Sequence, residues 1–414
     1  MTDIRPFKAY RPIKEKTHLI AALPYDVYNR QESKAIVKDN PLSFLAIDRA
    51  ETSFDDGVDT YADEVYAKAK ELLDERILKG LFTQDQEACF YLYELSMNGR
   101  KQMGIVGCAS IDDYLNNVIK KHENTRADKE IDRIRHVDTC DAHTGPIFLA
   151  YRERKDLKEM KTSWTSTHAP EVDFVSEDGV GHKIWKMDDA AFVSKMRETL
   201  GILPSVYIAD GHHRCASAVK VGLKRREENP NYTGDEEYNY FLSVLFPDEE
   251  LMIMDYNRVV KDLNGYTEEE FLAKISENFD VTNLGDNPVK PALKGQYGMY
   301  LNGQWYVLMA KEELLVSDPV RGLDVSILQD NLLSPILGIE DPKTDKRIDF
   351  VGGIRGLEEL ERRTKTDMKV AFSLYPTSIA ELFKVADAGL LMPPKSTWFE
   401  PKLRSGFFIH KLSE

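Results

Sequence analysis

The chain has 414 residues, with 55 Lys plus Arg against 70 Asp plus Glu and a formal net charge of −15. A surface of that sign repels phosphate backbones over a screening length of about 8 Å, which argues against a general nucleic-acid binder but leaves room for a small basic pocket around one phosphate. With 42% hydrophobic residues the chain can bury a core without disulfide or metal staples, and its composition is not that of a disordered, collagenous or disulfide-scaffold protein. Its four cysteines, Cys89, Cys108, Cys140 and Cys215, form no C-x-x-C pair, so neither a zinc ribbon nor a thioredoxin-type centre is encoded. No apolar run approaches the roughly 20 residues that span a bilayer, and residues 1–10 contain no apolar leader core. The expectation is a soluble, cytoplasmic protein with no membrane partner.

Leu19–Leu23 ends in Pro24-Tyr25-Asp26 and reads as a strand followed by a turn, and Ser43–Ile47 reads as a second short strand. Tyr61, Val65, Ala69, Leu72, Leu73 and Ile77 recur at helical spacing, and Gly80 stands where that helix should stop. Cys89–Tyr93 and Gly104–Ala109 predict a hairpin around Asn98-Gly99, a tight-turn dipeptide. Strands are predicted at Pro146–Tyr151 and Val206–Ala209, a polar loop over Glu227–Glu237, and another strand at Phe241–Phe246. From about residue 265 the pattern gives a helix near Glu268–Phe279, then strands Tyr297–Leu301 and Trp305–Met309 joined by Asn302-Gly303. Helices at Asp324–Leu337 and Leu357–Arg363 complete an α/β or α+β pattern, not a helical bundle.

The sharpest chemical signal is Asp210-Gly211-His212-His213-Arg214. It comes after an apolar strand and opens a helix whose apolar positions are Cys215, Ala218, Val219, Gly222 and Leu223. A helix N-terminus has unpaired N–H groups and partial positive charge, so it favours an anion. Gly211 allows close backbone approach, Arg214 supplies a bidentate fork, and Asp210 offers a metal ligand or proton acceptor. An Asp-Gly turn alone is only a helix cap; Asp, Gly, two His and Arg in five residues point to a site. A second cluster, Lys120-Lys-His-Glu-Asn-Thr-Arg126, mixes phosphate donors (Lys121, Thr125, Arg126) with Glu123, which can serve as base or metal ligand. His122, His136 and His143 fit no zinc spacing. Asp26, just after a strand and a proline, is a third candidate, with an Asx turn as the simpler explanation. Lys395-Ser396-Thr397 evokes a phosphate loop, but Pro394 stands where that loop needs glycine. Gly352-Gly353-x-x-Gly356 reads as a strand-to-helix turn and not a dinucleotide fingerprint.

Arg5-Pro-Phe7, Leu23-Pro-Tyr-Asp26, Lys121-His-Glu-Asn-Thr125, Asp210-Gly-His-His-Arg214 and Met392-Pro-Pro-Lys-Ser-Thr397, the last passage ending at Pro401-Lys402, resemble in content and order the domain-of-unknown-function family 1015. Through its Asp-Gly-His-x-Arg element that family is similar to the ParB/sulfiredoxin superfamily, which includes sulfiredoxin, ParB-type CTP switches and free-serine kinases. The resemblance implies a mixed α/β (α+β) fold, with a ParB/sulfiredoxin-like nucleotide-binding core over residues 1–250 and an additional α+β region over 251–414 packed on it. It implies that Gly211, His212, His213 and Arg214 hold nucleotide phosphates and that Asp210 assists magnesium or catalysis. Asp26 falls where the serine kinases place an acidic base, with Asp in place of Glu. Sulfiredoxin's cysteine has no counterpart, and the DNA-binding helices of ParB are not evident.

The expected activity is Mg²⁺-dependent phosphoryl transfer between ATP or ADP and a small hydroxyl metabolite, serine or phosphoserine in the first instance. Asp26, Glu123, Asp210 and His213 are the candidate catalytic residues, with Asp210 also the candidate metal ligand. Gly211, His212, Arg214, Thr125, Arg126, Lys395, Ser396 and Thr397 are the candidate phosphate or nucleotide ligands. The rival readings are a phosphatase or nucleotidase using water in the same pocket, and a nucleotide sensor without turnover. The expected partners are nucleotide and small molecule, with no nucleic acid, and a homo-oligomer is left open.

Overall fold

The computed structural model describes residues 1–125 and 127–413, which form two compact units: residues 1–251 with 401–414, and residues 252–400. The tail belongs with the first unit because its backbone pairs there. Tyr10 bridges Ile409, and His143-Ala142 pairs with His410-Lys411. The second unit therefore ends at residue 400 and does not continue to 414.

The first unit is organised on a nine-stranded mixed sheet. Its strands are β1 (Ile4–Arg5), β2 (Phe90–Met97), β3 (Arg100–Ser110), β4 (Ile119–Lys120), β5 (Ile147–Tyr151), β6 (Val172–Val175), β7 (Gly181–Met187), β8 (Val206–Asp210) and β9 (Tyr240–Pro247). The order is β4-β8-β5-β9-β3-β2-β7-β6, with β1 added against β3. Most pairs are antiparallel, but β4 runs parallel to β8 and β9 parallel to β5. The hairpin β2–β3 turns where expected, with Asn98 and Gly99 at φ 51° and 78°, the left-handed conformation that a two-residue hairpin turn demands. Three helices matter for the site: α1 (Asp63–Leu78), α2 (Ala127–Cys140) and α3 (His212–Glu228). Helix α1 buries Val65, Ala69 and Leu73 of the predicted stripe, with Tyr66 beside them; Leu72 and Ile77 are half-buried, Tyr61 lies exposed before the helix, and Gly80 stands past its end at φ 70°.

Both early strands predicted from apolar runs are helices: Thr17–Ile20 and Leu45–Asp48. A run of four or five apolar residues is compatible with any element buried on all sides, and every residue of Leu45–Asp48 is buried. Ile20, Phe44, Leu45 and Ile47 join Leu73, Phe82 and Ile409 in a core separate from the sheet's own.

The second unit holds a six-stranded antiparallel sheet of β10 (Tyr256–Val260), β11 (Phe279–Gly285), β12 (Gln296–Leu301), β13 (Gln304–Ala310), β14 (Ile348–Gly352) and β15 (Val370–Leu374), in the order β11-β13-β12-β15-β10-β14. Its helices include Glu268–Ile275 and Gly356–Thr366. The helix at Asp324 is α-helical only to Leu328 and continues as a π-helical turn to Leu333. Gly352-Gly353 leads from β14 through a short 3₁₀ turn into the helix at Gly356, and a Cβ on Gly352 would lie 2.8 Å from the Trp398 ring. The fold is thus mixed α/β throughout. Among the described residues no helix is long and apolar enough to cross a membrane.

His182 on β7 is fully buried, with Nδ1 2.8 Å from the Tyr93 hydroxyl and Nε2 3.0 Å from Ser176 Oγ. Burial, reinforced by the Arg404 charge, pulls its pKa down from 6.5 to about 3. The unfolded chain therefore takes up a proton below pH 6.5 that the folded chain refuses, and folding stability falls as pH drops from 6.5 toward 3. The slope from this one group is at most about 1.4 kcal/mol per pH unit. Urea unfolding between pH 7 and pH 4 should show that loss, and His182→Gln should have a shallower pH slope than the parent.

Candidate functional site

Two parallel strands bring the two polar motifs to one end of the first sheet. Val206 of β8 pairs with Ile119 of β4, and Tyr207 with Lys120. Because the strands run the same way, the segments beginning at Lys121 and at Gly211 emerge side by side, at the carboxyl edge where open α/β sheets bind ligands. A β-bulge between Ile208 and Asp210, against β5, re-aims the end of β8 as it leaves the sheet.

Gly211 then turns the chain at φ 91°, a conformation that L side chains adopt only with strain, and α3 starts at His212. The Asp210 carboxylate accepts the Gly211 N–H at 2.8 Å and the Lys402 ammonium at 3.0 Å. Burial alone would raise its pKa, but the Lys402 and Arg214 charges outweigh that and hold it far below the usual carboxylate range. The Arg214 guanidinium folds back over the turn: a Cβ on Gly211 would meet Nε and Nη2 at 3.1 Å. Its Nη1 donates to the Pro146 carbonyl at 2.6 Å.

On the neighbouring strand end, His122 and Glu123 face His212. The imidazoles of His122 and His212 meet edge to face, with centroids 4.5 Å apart. One ligand atom from each of His122, Glu123 and His212 lies within 4.8 Å of the others. Burial pulls His122 down to about 4, against an opposing hydrogen bond to the Ile208 backbone and the Asp210 charge. Burial and the His122 charge likewise hold His212 well below its ordinary value. Both rings are therefore neutral at physiological pH.

Asp26 lies exposed in the turn after Tyr25. The Tyr25 hydroxyl is buried, which raises its pKa; the charges of Arg133 and Arg214 oppose that rise and the charge of Asp26 adds to it. Asp26 and Arg214 thus act on the same phenol. A small cavity of about 30 Å³ is lined by Tyr25, Asp48, Arg133, His136, Thr144 and Arg214 together with apolar Val137 and Ile147, room for one or two waters. Arg133 stacks 4.0 Å from the Tyr25 ring centroid, and Thr144 donates to Asp48 at 2.9 Å.

The remaining sequence candidates have other surroundings. The Thr125 hydroxyl donates to Glu130, which also takes Lys220. Arg126 lies outside the described residues. His213, half-buried at the first turn of α3, adds its charge to the field at Glu130. Lys395, Ser396 and Thr397 belong to the second unit. There the Ser396 hydroxyl donates to Pro393 O at 2.6 Å, and Lys395 Nζ sits 5.7 Å from the Tyr256 ring centroid. Asp210, the metal ligand expected from the sequence, has an ammonium and an N–H on its two oxygens. The donors that converge are His122, Glu123 and His212. Two imidazoles and one carboxylate do not suit Mg²⁺, which takes an octahedron of oxygens, so the described residues build no resident magnesium site of this kind. Sequence reading gave no role of their own to Tyr25, Arg133 and Lys402 and missed Asp48 altogether. Tyr25 stands in the Leu23–Asp26 motif and Lys402 in the Pro401-Lys402 passage, 192 residues from Asp210.

Gly211→Ala tests the turn. A Cβ there combines left-handed strain of about 1–2 kcal/mol with displacement of Arg214. The variant should melt lower and lose anion binding together, whereas an Ala at exposed Gly57, which meets nothing within 4 Å, should do neither.

Several solved structures are distantly similar. A free serine kinase in complex with AMP has 15% identity and a TM-score of 0.35, covering 72% of this chain and 86% of that chain. A conserved hypothetical protein from Pyrococcus furiosus has 14% identity and a TM-score of 0.34, covering 73% and 93%. SbnI with C-terminal truncation from Staphylococcus aureus has 10% identity and a TM-score of 0.39, covering 71% and 82%. No curated protein matches the chain. The family model described as Protein of unknown function (DUF1015) matches residues 4–326, more than three quarters of the sequence, and the chain belongs to that family.

Proposed function

We propose that this protein is a phosphotransferase that moves a phosphoryl group between a nucleotide (ATP or ADP) and a small hydroxyl metabolite, with serine or phosphoserine the metabolite favoured by the motif resemblance, on a ParB/sulfiredoxin-like core. The observation that carries the reading is the convergence at one strand edge of a helix N-terminus, the Gly211 turn and the Arg214 guanidinium, with Lys121 on the adjoining strand end. Stabilising charge on a transferring phosphoryl group is most of what such catalysis requires. Backbone N–H groups at the start of α3 and the Arg214 fork are suited to phosphate oxygens. Asp26, exposed and in the same electrostatic neighbourhood as Arg214, serves as the base that takes the hydroxyl proton. In the forward direction the metabolite oxygen bonds to the terminal phosphorus, the bridging P–O bond breaks, the proton passes to Asp26 and the diphosphate leaves.

A ³¹P NMR time course with Mg²⁺ as nucleotide counterion tests this. ATP with serine, or ADP with phosphoserine, should show transfer. Phosphate released from phosphoserine without nucleotide would show a hydrolase instead, and nucleotide-dependent stabilisation without transfer would show a sensor. Arg214→Ala should weaken nucleotide binding by about 1.5–3 kcal/mol, the contribution of a hydrogen bond to a charged group. Asp26→Asn should leave binding intact and lower turnover by about 10²–10⁴-fold, the range of general-base catalysis.

A further inference from the structure

The convergence of His122, Glu123 and His212 is unusual for a site meant only to hold phosphate. A phosphate pocket needs donors, yet here two buried imidazoles meet edge to face with their centroids 4.5 Å apart. Glu123 brings an acceptor to the same point. A neutral imidazole offers a lone pair, and two imidazoles with a carboxylate form a ligand set for a borderline transition-metal ion.

A separate observation points the same way. His212 is 8% exposed, and its Nε2 has no hydrogen-bond partner among the described residues. A buried ring nitrogen without a partner, on one of three residues whose ligand atoms lie within 4.8 Å of one another, suits a metal ion. The surroundings match those of a metal site. The His122 ring bonds the Ile208 backbone. Backbone carbonyls behind ligating histidines hold their orientation and raise their basicity.

We infer that His122, Glu123 and His212 form a binding site for a divalent transition-metal ion of the Zn²⁺ class. Three protein ligands leave coordination positions open to water or an anionic oxygen. The site does not depend on the phosphotransferase reading, since it is measured without nucleotide or metabolite.

The test is an equilibrium titration of the full chain, freed of metal by chelator and dialysis, with Zn²⁺ by calorimetry and with Co²⁺ by visible absorption. One equivalent should bind, Zn²⁺ should raise the melting temperature, and Co²⁺ should give the d–d bands of nitrogen–oxygen coordination. His122→Gln, Glu123→Gln and His212→Gln should each abolish the bands. His168→Gln, at an exposed histidine stacked on Trp164, should bind as the parent does. Far-UV circular dichroism and melting without metal separate loss of ligand from loss of fold. If one of the buried-histidine variants is unfolded, the half-exposed Glu123→Gln decides the matter. Absence of stoichiometric binding, binding unchanged in Glu123→Gln, or Mg²⁺ competing at equal concentration would overturn the inference.

Discussion

The parallel pairing of β4 with β8 is the constraint on which the site depends. It is a very short ladder, two residues against two, yet it fixes the direction in which two distant segments leave the sheet. Had β4 run antiparallel, Lys121, His122 and Glu123 would emerge at the opposite edge from Asp210 and the start of α3. Parallel strands require a long crossover, and here the crossover carries α2, β5, β6 and β7 before the chain returns as β8. The helix packed against α3 and the strand beside β8 are therefore part of the connection that makes the convergence possible.

Electrostatics then differentiates groups that look equivalent in the sequence. Asp210 stays ionised despite burial because Lys402 and Arg214 are near. His122 and His212 stay neutral because their rings are desolvated and face each other. The carboxylate and the imidazoles so acquire different roles: one anchors an ammonium and the Gly211 turn, and the others present lone pairs. Burial keeps Cys215, one turn into α3, a thiol, so no thiolate competes with them. The same logic of desolvated, neutral imidazole recurs away from the site at His182, where it acts on stability and not on chemistry.

Much of the frame was legible because local rules governed it. The Asn98-Gly99 hairpin, the Gly80 stop after α1, the strand before Asp210 and the helix after it all arise from turn chemistry and periodicity that act within a few residues. The two early strands failed for the complementary reason. Ser43–Ile47 is apolar because it is buried throughout, whereas Leu19–Leu23 alternates half-buried and buried residues, is helical to Ile20 and then bridges Ser405 through Ala22. At the site, the pentapeptide from Asp210 to Arg214 announced itself by its density of chemistry. Tyr25 stood there only as part of the Leu23–Asp26 motif, and Asp48 is unremarkable among its own neighbours in the chain.

By itself the sequence determined the Asn98-Gly99 hairpin, the Gly80 stop and the strand-to-helix junction at Asp210–His212, because turn conformation and side-chain periodicity are local properties. Only the tertiary structure decided which residues meet. Strand direction placed His122 and Glu123 against His212, the return of the tail to the first unit placed Lys402 on Asp210, and Thr125 was turned toward Glu130. These are contacts between segments as much as 192 residues apart, selected by the free energy of burying the whole sheet and its helices, and no local pattern encodes that sum.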